Sequence, residues 1–196
     1  MMKLLLLLSL SLFTMSTLWA QDTPLPLREI PAAPETYSSG SVLARMIEGL
    51  GYRYYWATEG LREEDLSYKI SDDSRSSGET LDHLLGLSVT IYCSAKDIPR
   101  EFEDMGELSF EQKRRMTLEN LAQAAALLRD KTEAEVAELS IVFQRGENQS
   151  EYPYWNMING PIADAIYHTG QIVSYRRASG NPINPGVNVF MGKTRE

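Results

Sequence analysis

Ser76-Ser77-Gly78-Glu79-Thr80-Leu81-Asp82-His83-Leu84-Leu85-Gly86-Leu87-Ser88-Val89-Thr90-Ile91 is the stretch on which the fold turns. Ser76 followed three residues later by Glu79 is a capping box, in which the two side chains satisfy orphan amide groups at a helix start. Leu81, Leu84, Leu85, Val89 and Ile91 then recur at helical spacing, and Pro99 ends any continuation because it cannot donate to the preceding turn. The result is an amphipathic helix with His83 beside its apolar side.

The same logic extends in both directions. Toward the N-terminus, Leu43, Met46, Ile47, Leu50, Tyr54 and Ala57 place an amphipathic helix over residues 41–61, with Gly49 and Gly51 permitting close packing. A polar connection over residues 63–75 follows it. Toward the C-terminus, Ser109 with Gln112 repeats the capping box, and Leu118, Leu121, Ala122, Ala125 and Leu128 give a third helix. Thr132 with Glu135 starts one further short helix, and Ser140 to Gln144 is briefly extended, with β-branched Ile141 and Val142. The last long helix covers residues 154–179. Pro161 must begin it or kink it, Arg176 and Arg177 suit its negative end, and Gly180 with Pro182 stops it. Four long amphipathic helices without a sustained strand pattern predict an all-α fold, a four-helix bundle over residues 39–196 that ends in an irregular tail from Asn181.

Two segments precede this domain. Lys3, the apolar run Leu4 to Leu12 and the small residue Ala20 form a secretory signal peptide over residues 1–20, with cleavage expected after Ala20. Residues 21–38 carry Pro24, Pro26, Pro31 and Pro34 and read as an extended leader, ordered only if it docks on the domain. No later segment approaches the ~20 apolar residues of a membrane span. The chain is therefore expected to be exported, into the periplasm or the medium. Its formal net charge of −8 disfavours nucleic acid. The single cysteine, Cys93, has no intrachain partner and is expected to be buried and inert.

The chain has only two histidines, His83 and His168. Asp164 lies four residues before His168, on the same helical face. Two imidazoles and a carboxylate from two helices are a possible three-ligand metal site, since bundle cofactor sites are built from side chains on facing helices. Alone, a histidine placed as His83 is more often a hydrogen-bonded core or boundary residue than a ligand. The polar stripe continues through Gln171 and Tyr175. Trp56 and Tyr54 are candidates for a pocket mouth or for the core, and Glu59 for a general base or a solvated helix-end acid. Tyr167 and Tyr175 read as packing residues with a polar tip.

Tyr54-Tyr55-Trp56-Ala57-Thr58-Glu59-Gly60-Leu61 and the Glu79-Thr80-Leu81-Asp82-His83-Leu84-Leu85 core resemble the first half of the DinB-like (YfiT-like) proteins. The stretch from Asn159 to Ile172, followed by Tyr175-Arg176-Arg177, resembles their last helix. The likeness runs over most of residues 40–182. It implies a four-helix bundle, often dimeric, with a divalent metal held by three histidines, one from the second helix and two from a His-x-x-x-His pair in the last. Carried over, His83 matches the second-helix ligand and His168 the second histidine of the pair. Asp164 stands where the first would be. Aspartate is a competent ligand for divalent ions, so the expected metal set is His83, Asp164 and His168.

Three protein ligands leave positions for water or substrate, as in a catalytic site. The first expectation is a metal-dependent hydrolase or transferase using metal-activated water or substrate. Zinc or nickel is favoured and iron or manganese is open, since two histidines with a carboxylate also match the facial triad of non-haem iron enzymes. Export argues against a low-molecular-weight thiol as co-substrate. The second expectation is a non-catalytic metal-binding, structural or partner-binding bundle with a degenerate site. The substrate is an unidentified small molecule, no catalytic residue beyond the ligands is assigned, and a homodimer follows from the resemblance alone.

Overall fold

The computed structural model describes residues 24–102 and 107–195; the signal-peptide reading falls on residues 1–20, outside them. Four long helices carry the core: α1 (Ser39–Thr58), α3 (Ser77–Ala95), α4 (Phe110–Leu128) and α7 (Ala163–Ala178). Two short helices, α2 (Glu63–Leu66) and α5 (Glu133–Ala137), lie in the connections. A single turn, α6 (Trp155–Met157), leads through a π-helical turn over Ile158–Ile162 into α7. Each of α1 and α3 packs on both α4 and α7. Between them Leu43, Ile47, Leu50, Leu81, Leu84, Ile91, Leu118, Leu121, Leu128, Ile162 and Ile172 form one buried cluster.

The helix starts follow from local chemistry. Ser76 with Glu79, Ser109 with Gln112 and Thr132 with Glu135 all form the expected reciprocal capping boxes. The first helix starts two residues earlier than its apolar pattern indicates, because Ser38 caps it and pairs with Ser41. Its C-terminal carbonyls are met by a neighbouring helix: the buried Arg176 guanidinium donates to the carbonyls of Ala57 and Glu59 and to Asn181. Arg176 therefore does more than complement its own helix dipole; it satisfies orphan acceptors at the end of α1.

The all-α expectation is overturned. Strand β2 (Ser140–Arg145) pairs antiparallel with β3 (Asn148–Pro153) and parallel with the two-residue β1 (Arg100–Glu101), giving a three-stranded mixed sheet of order β1-β2-β3. A second, two-stranded sheet joins β4 (Val187–Asn188) to β5 (Lys193–Thr194) in the tail expected to be irregular. The extended character of β2 is legible in Ile141 and Val142. Its partner is not: Asn148-Gln149-Ser150-Glu151-Tyr152-Pro153 is polar, exposed and proline-terminated, and it pairs only because Gly146, at φ +58°, closes a two-residue turn. Strands of two residues leave no period-2 pattern to read.

The leader docks. Trp56 Nε1 donates to the Arg28 carbonyl at 3.1 Å, Arg45 donates to the Pro31 carbonyl, and Ile30 N–H donates to the Gly192 carbonyl. Leu27 lies against Gly51 so closely that a Cβ there would overlap its side chain. Cys93 is buried and free, and burial pushes its thiol pKa up. Among the described residues no helix is long and apolar enough to cross a membrane.

Candidate metal centre

The π-helical turn decides how α7 meets α3. Gly160 sits at φ −95°, ψ −107°, outside helical geometry, and Pro161 follows it. Of the two roles open to Pro161 in the sequence, beginning the helix or kinking it, the structure shows the kink, with Gly160 taking the non-helical backbone angles. Asp164 falls in the first turn of α7, where the helix dipole favours a carboxylate, and His168 lies one turn on. His83 reaches them from α3, which packs against α7.

The three side chains named from the sequence converge: His83, Asp164 and His168 each offer a ligand atom, and these lie within 4.8 Å of one another. Asp164 bridges the Nε2 atoms of the two rings. Its Oδ2 accepts from His83 Nε2 at 2.9 Å, and its Oδ1 lies 3.3 Å from His168 Nε2. The two rings meet edge to face with centroids 4.6 Å apart. Ligand atoms bound to one ion at about 2.1 Å are separated by about 3.0 to 3.4 Å for octahedral to tetrahedral angles, so the 3.3 Å Asp164–His168 spacing suits a shared divalent ion, while the 2.9 Å contact to His83 has the length of a direct hydrogen bond. The side chains are 32% (His83), 41% (Asp164) and 12% (His168) exposed, so solvent reaches the cluster.

Gln171 supplies the decisive detail. Its Oε1 accepts the Nδ1 proton of His168 at 2.7 Å, while its Nε2 donates to the Tyr167 hydroxyl at 3.2 Å. With the proton on Nδ1, the neutral His168 ring presents a lone pair at Nε2. That lone pair faces an Asp164 oxygen 3.3 Å away, the orientation in which the two atoms would share a divalent ion. Metal-ligating histidines characteristically donate their other ring N–H to such a partner. The sequence places Gln171 on the right stripe, and its i, i+3 spacing from His168 is the signal for this role, which the stripe alone does not assign.

The weaker candidates lie elsewhere. Tyr54 is buried in the core, and burial raises its hydroxyl pKa to about 12. Trp56 is buried with its N–H on the leader. Glu59 forms an ion pair with Arg114 at the end of α1. Tyr175 is buried, packing against Tyr68, whereas Tyr167 is exposed beside His168. Against family models, curated proteins and solved structures alike, the chain has no match.

Proposed function

We propose that this chain is an exported, DinB-like divalent-metal protein that catalyses hydrolysis or group transfer, with His83, Asp164 and His168 as its metal ligands. The observation that carries the reading is the convergence of the His83, Asp164 and His168 ligand atoms, with the Gln171 amide oxygen on His168 Nδ1 and His168 Nε2 facing Asp164. The sequence likeness of residues 40–182 and the leader-like residues 1–20 support the family and the export. A divalent ion held by these ligands would supply a Lewis acid and lower the pKa of bound water toward ~7. The nitrogen-rich set favours zinc or nickel over manganese. Around it, Asp164 spans both imidazoles, and Gln171 orients His168. The Tyr167 hydroxyl accepts from Gln171, which leaves its own proton available to a substrate oxygen. The partial exposure of Asp164 and His83 leaves room for a small-molecule substrate.

A second reading has its own observation. The direct 2.9 Å bond from His83 to Asp164 is what a non-catalytic hydrogen-bonded cluster would form. Metal analysis separates the two. The chain from Gln21 onward, purified without an affinity tag, is expected to hold near-stoichiometric metal that is lost in His83→Ala and in Asp164→Ala. No retained metal, and no uptake of added zinc, nickel, iron or manganese, would overturn the metalloenzyme reading and leave the hydrogen-bonded cluster.

A further inference from the structure

The C-terminal hairpin carries three consecutive exposed apolar side chains at its tip: Val189 (47%), Phe190 (92%) and Met191 (61%). Runs of exposed apolar residues are costly to a soluble surface and signal function. This tip is built rather than loose. The Asn188 side-chain oxygen accepts from the N–H of Phe190 at 3.2 Å and of Met191 at 3.1 Å. The Asn188 carbonyl accepts from Gly192 N–H, and the Gly192 carbonyl accepts from Ile30 on the docked leader. Tyr52 of α1 anchors the base, through Thr194 and the Asn188 N–H. The amide donors of residues 190–192 are therefore already satisfied within the fold, which lowers the cost of moving the tip out of bulk water.

Charge singles out the phase. The chain is net −8, yet from Gly180 to Glu196 it contains Lys193 and Arg195 against one acidic residue, Glu196, so this segment is locally net positive. Lys193 pairs with Asn188 directly behind the tip, and both cations are exposed. Apolar side chains in front with cations one step behind match the layering of a bilayer interface, where lysine and arginine stems lie along apolar surface and their heads reach phosphate. We propose that the hairpin tip Val189–Met191 inserts shallowly into the headgroup region of an anionic lipid bilayer, with Lys193 and Arg195 on the lipid phosphates. Peripheral contact of this kind needs no membrane-spanning helix.

The test is co-flotation of the chain from Gln21 onward, which contains every described element, with two kinds of vesicle. One mixes phosphatidylglycerol with phosphatidylethanolamine; the other is phosphatidylcholine alone. Binding is expected to the anionic vesicles and to weaken with salt. Phe190→Asp should lower the partition coefficient about ten- to a hundredfold, the worth of one large apolar side chain. Because Phe190 is almost fully exposed, its thermal unfolding should not change. Lys193→Glu with Arg195→Glu should cost binding to anionic vesicles about tenfold or more and leave phosphatidylcholine unaffected. Absence of flotation, or equal flotation of wild type and Phe190→Asp, would overturn the proposal. So would self-association of the chain that Phe190→Asp abolishes, since the tip would then seat on a second copy.

Discussion

Replacing Gln171 by leucine tests the metal centre without touching a ligand. The substitution removes the acceptor that holds the proton on His168 Nδ1 and leaves His83, Asp164 and His168 in place. Loss of such a supporting partner lowers metal affinity about 10- to 100-fold. A ligand that binds only the folded state stabilises it by RT ln(1 + [L]/Kd), about 2.7 kcal/mol at a hundredfold excess over Kd. At the same free metal concentration the Gln171→Leu protein would keep about 1.4 kcal/mol for a tenfold weakening and about 0.4 kcal/mol for a hundredfold one. For a domain of this size each kcal/mol moves Tm by about 2–4 °C. Zinc should therefore raise the wild-type Tm by about 5–11 °C and that of Gln171→Leu by about 1–6 °C. Differential scanning fluorimetry at fixed free zinc, set by a metal buffer, measures both. An equal shift in the two proteins would refute the tautomer argument, and an undiminished shift in His83→Ala would refute the three-ligand centre itself.

Two further predictions concern the scaffold. Asp65 is buried, accepts from Arg62, Ser179 and Asn181, and is held far below the usual carboxylate range, chiefly by its bond to Arg62. Asp65→Ala should cost about 1–3 kcal/mol in urea unfolding, by removing the buried acceptor of Arg62, Ser179 and Asn181. Because its folded pKa is depressed, the carboxylate's contribution is fully present above its unfolded value of about 3.9 and is lost as pH falls toward the folded one. Asp65→Asn should accordingly flatten the fall in stability below about pH 4 and leave the slope above it unchanged; an unaltered acid limb would contradict the assignment. Gly40→Ala should cost about 1–3 kcal/mol, because a Cβ there would overlap the Leu128 carbonyl and lie 2.5 Å from that of Lys131, so α1 would have to move away from the end of α4. A neutral result by thermal unfolding would show that this helix contact yields.

What the sequence determined by itself is local or periodic. Ser76 with Glu79, Ser109 with Gln112 and Thr132 with Glu135 mark helix starts because the partners lie within one turn and need nothing else to meet. The apolar stripes of α1, α3 and α4 are legible because a buried face must recur every three to four residues. Asp164 and His168 share a face for the same reason. Tertiary structure decided what depends on partners distant in the chain or on a single backbone angle. β3 is a strand because β2 lies beside it, and of its own residues only Tyr152 favours a strand. The sequence offers Pro161 as a helix start or a kink and the structure takes the kink, while packing of α3 on α7 carries His83 to Asp164 across 81 positions of sequence. The tautomer of His168 is fixed by Gln171, a short-range contact whose meaning appears only once Asp164 is seen on the other side of the ring. The apolar residues Val189-Phe190-Met191 read in the sequence as an irregular tail. They became a presented tip because Tyr52, Asn188 and the docked leader hold the hairpin that carries them.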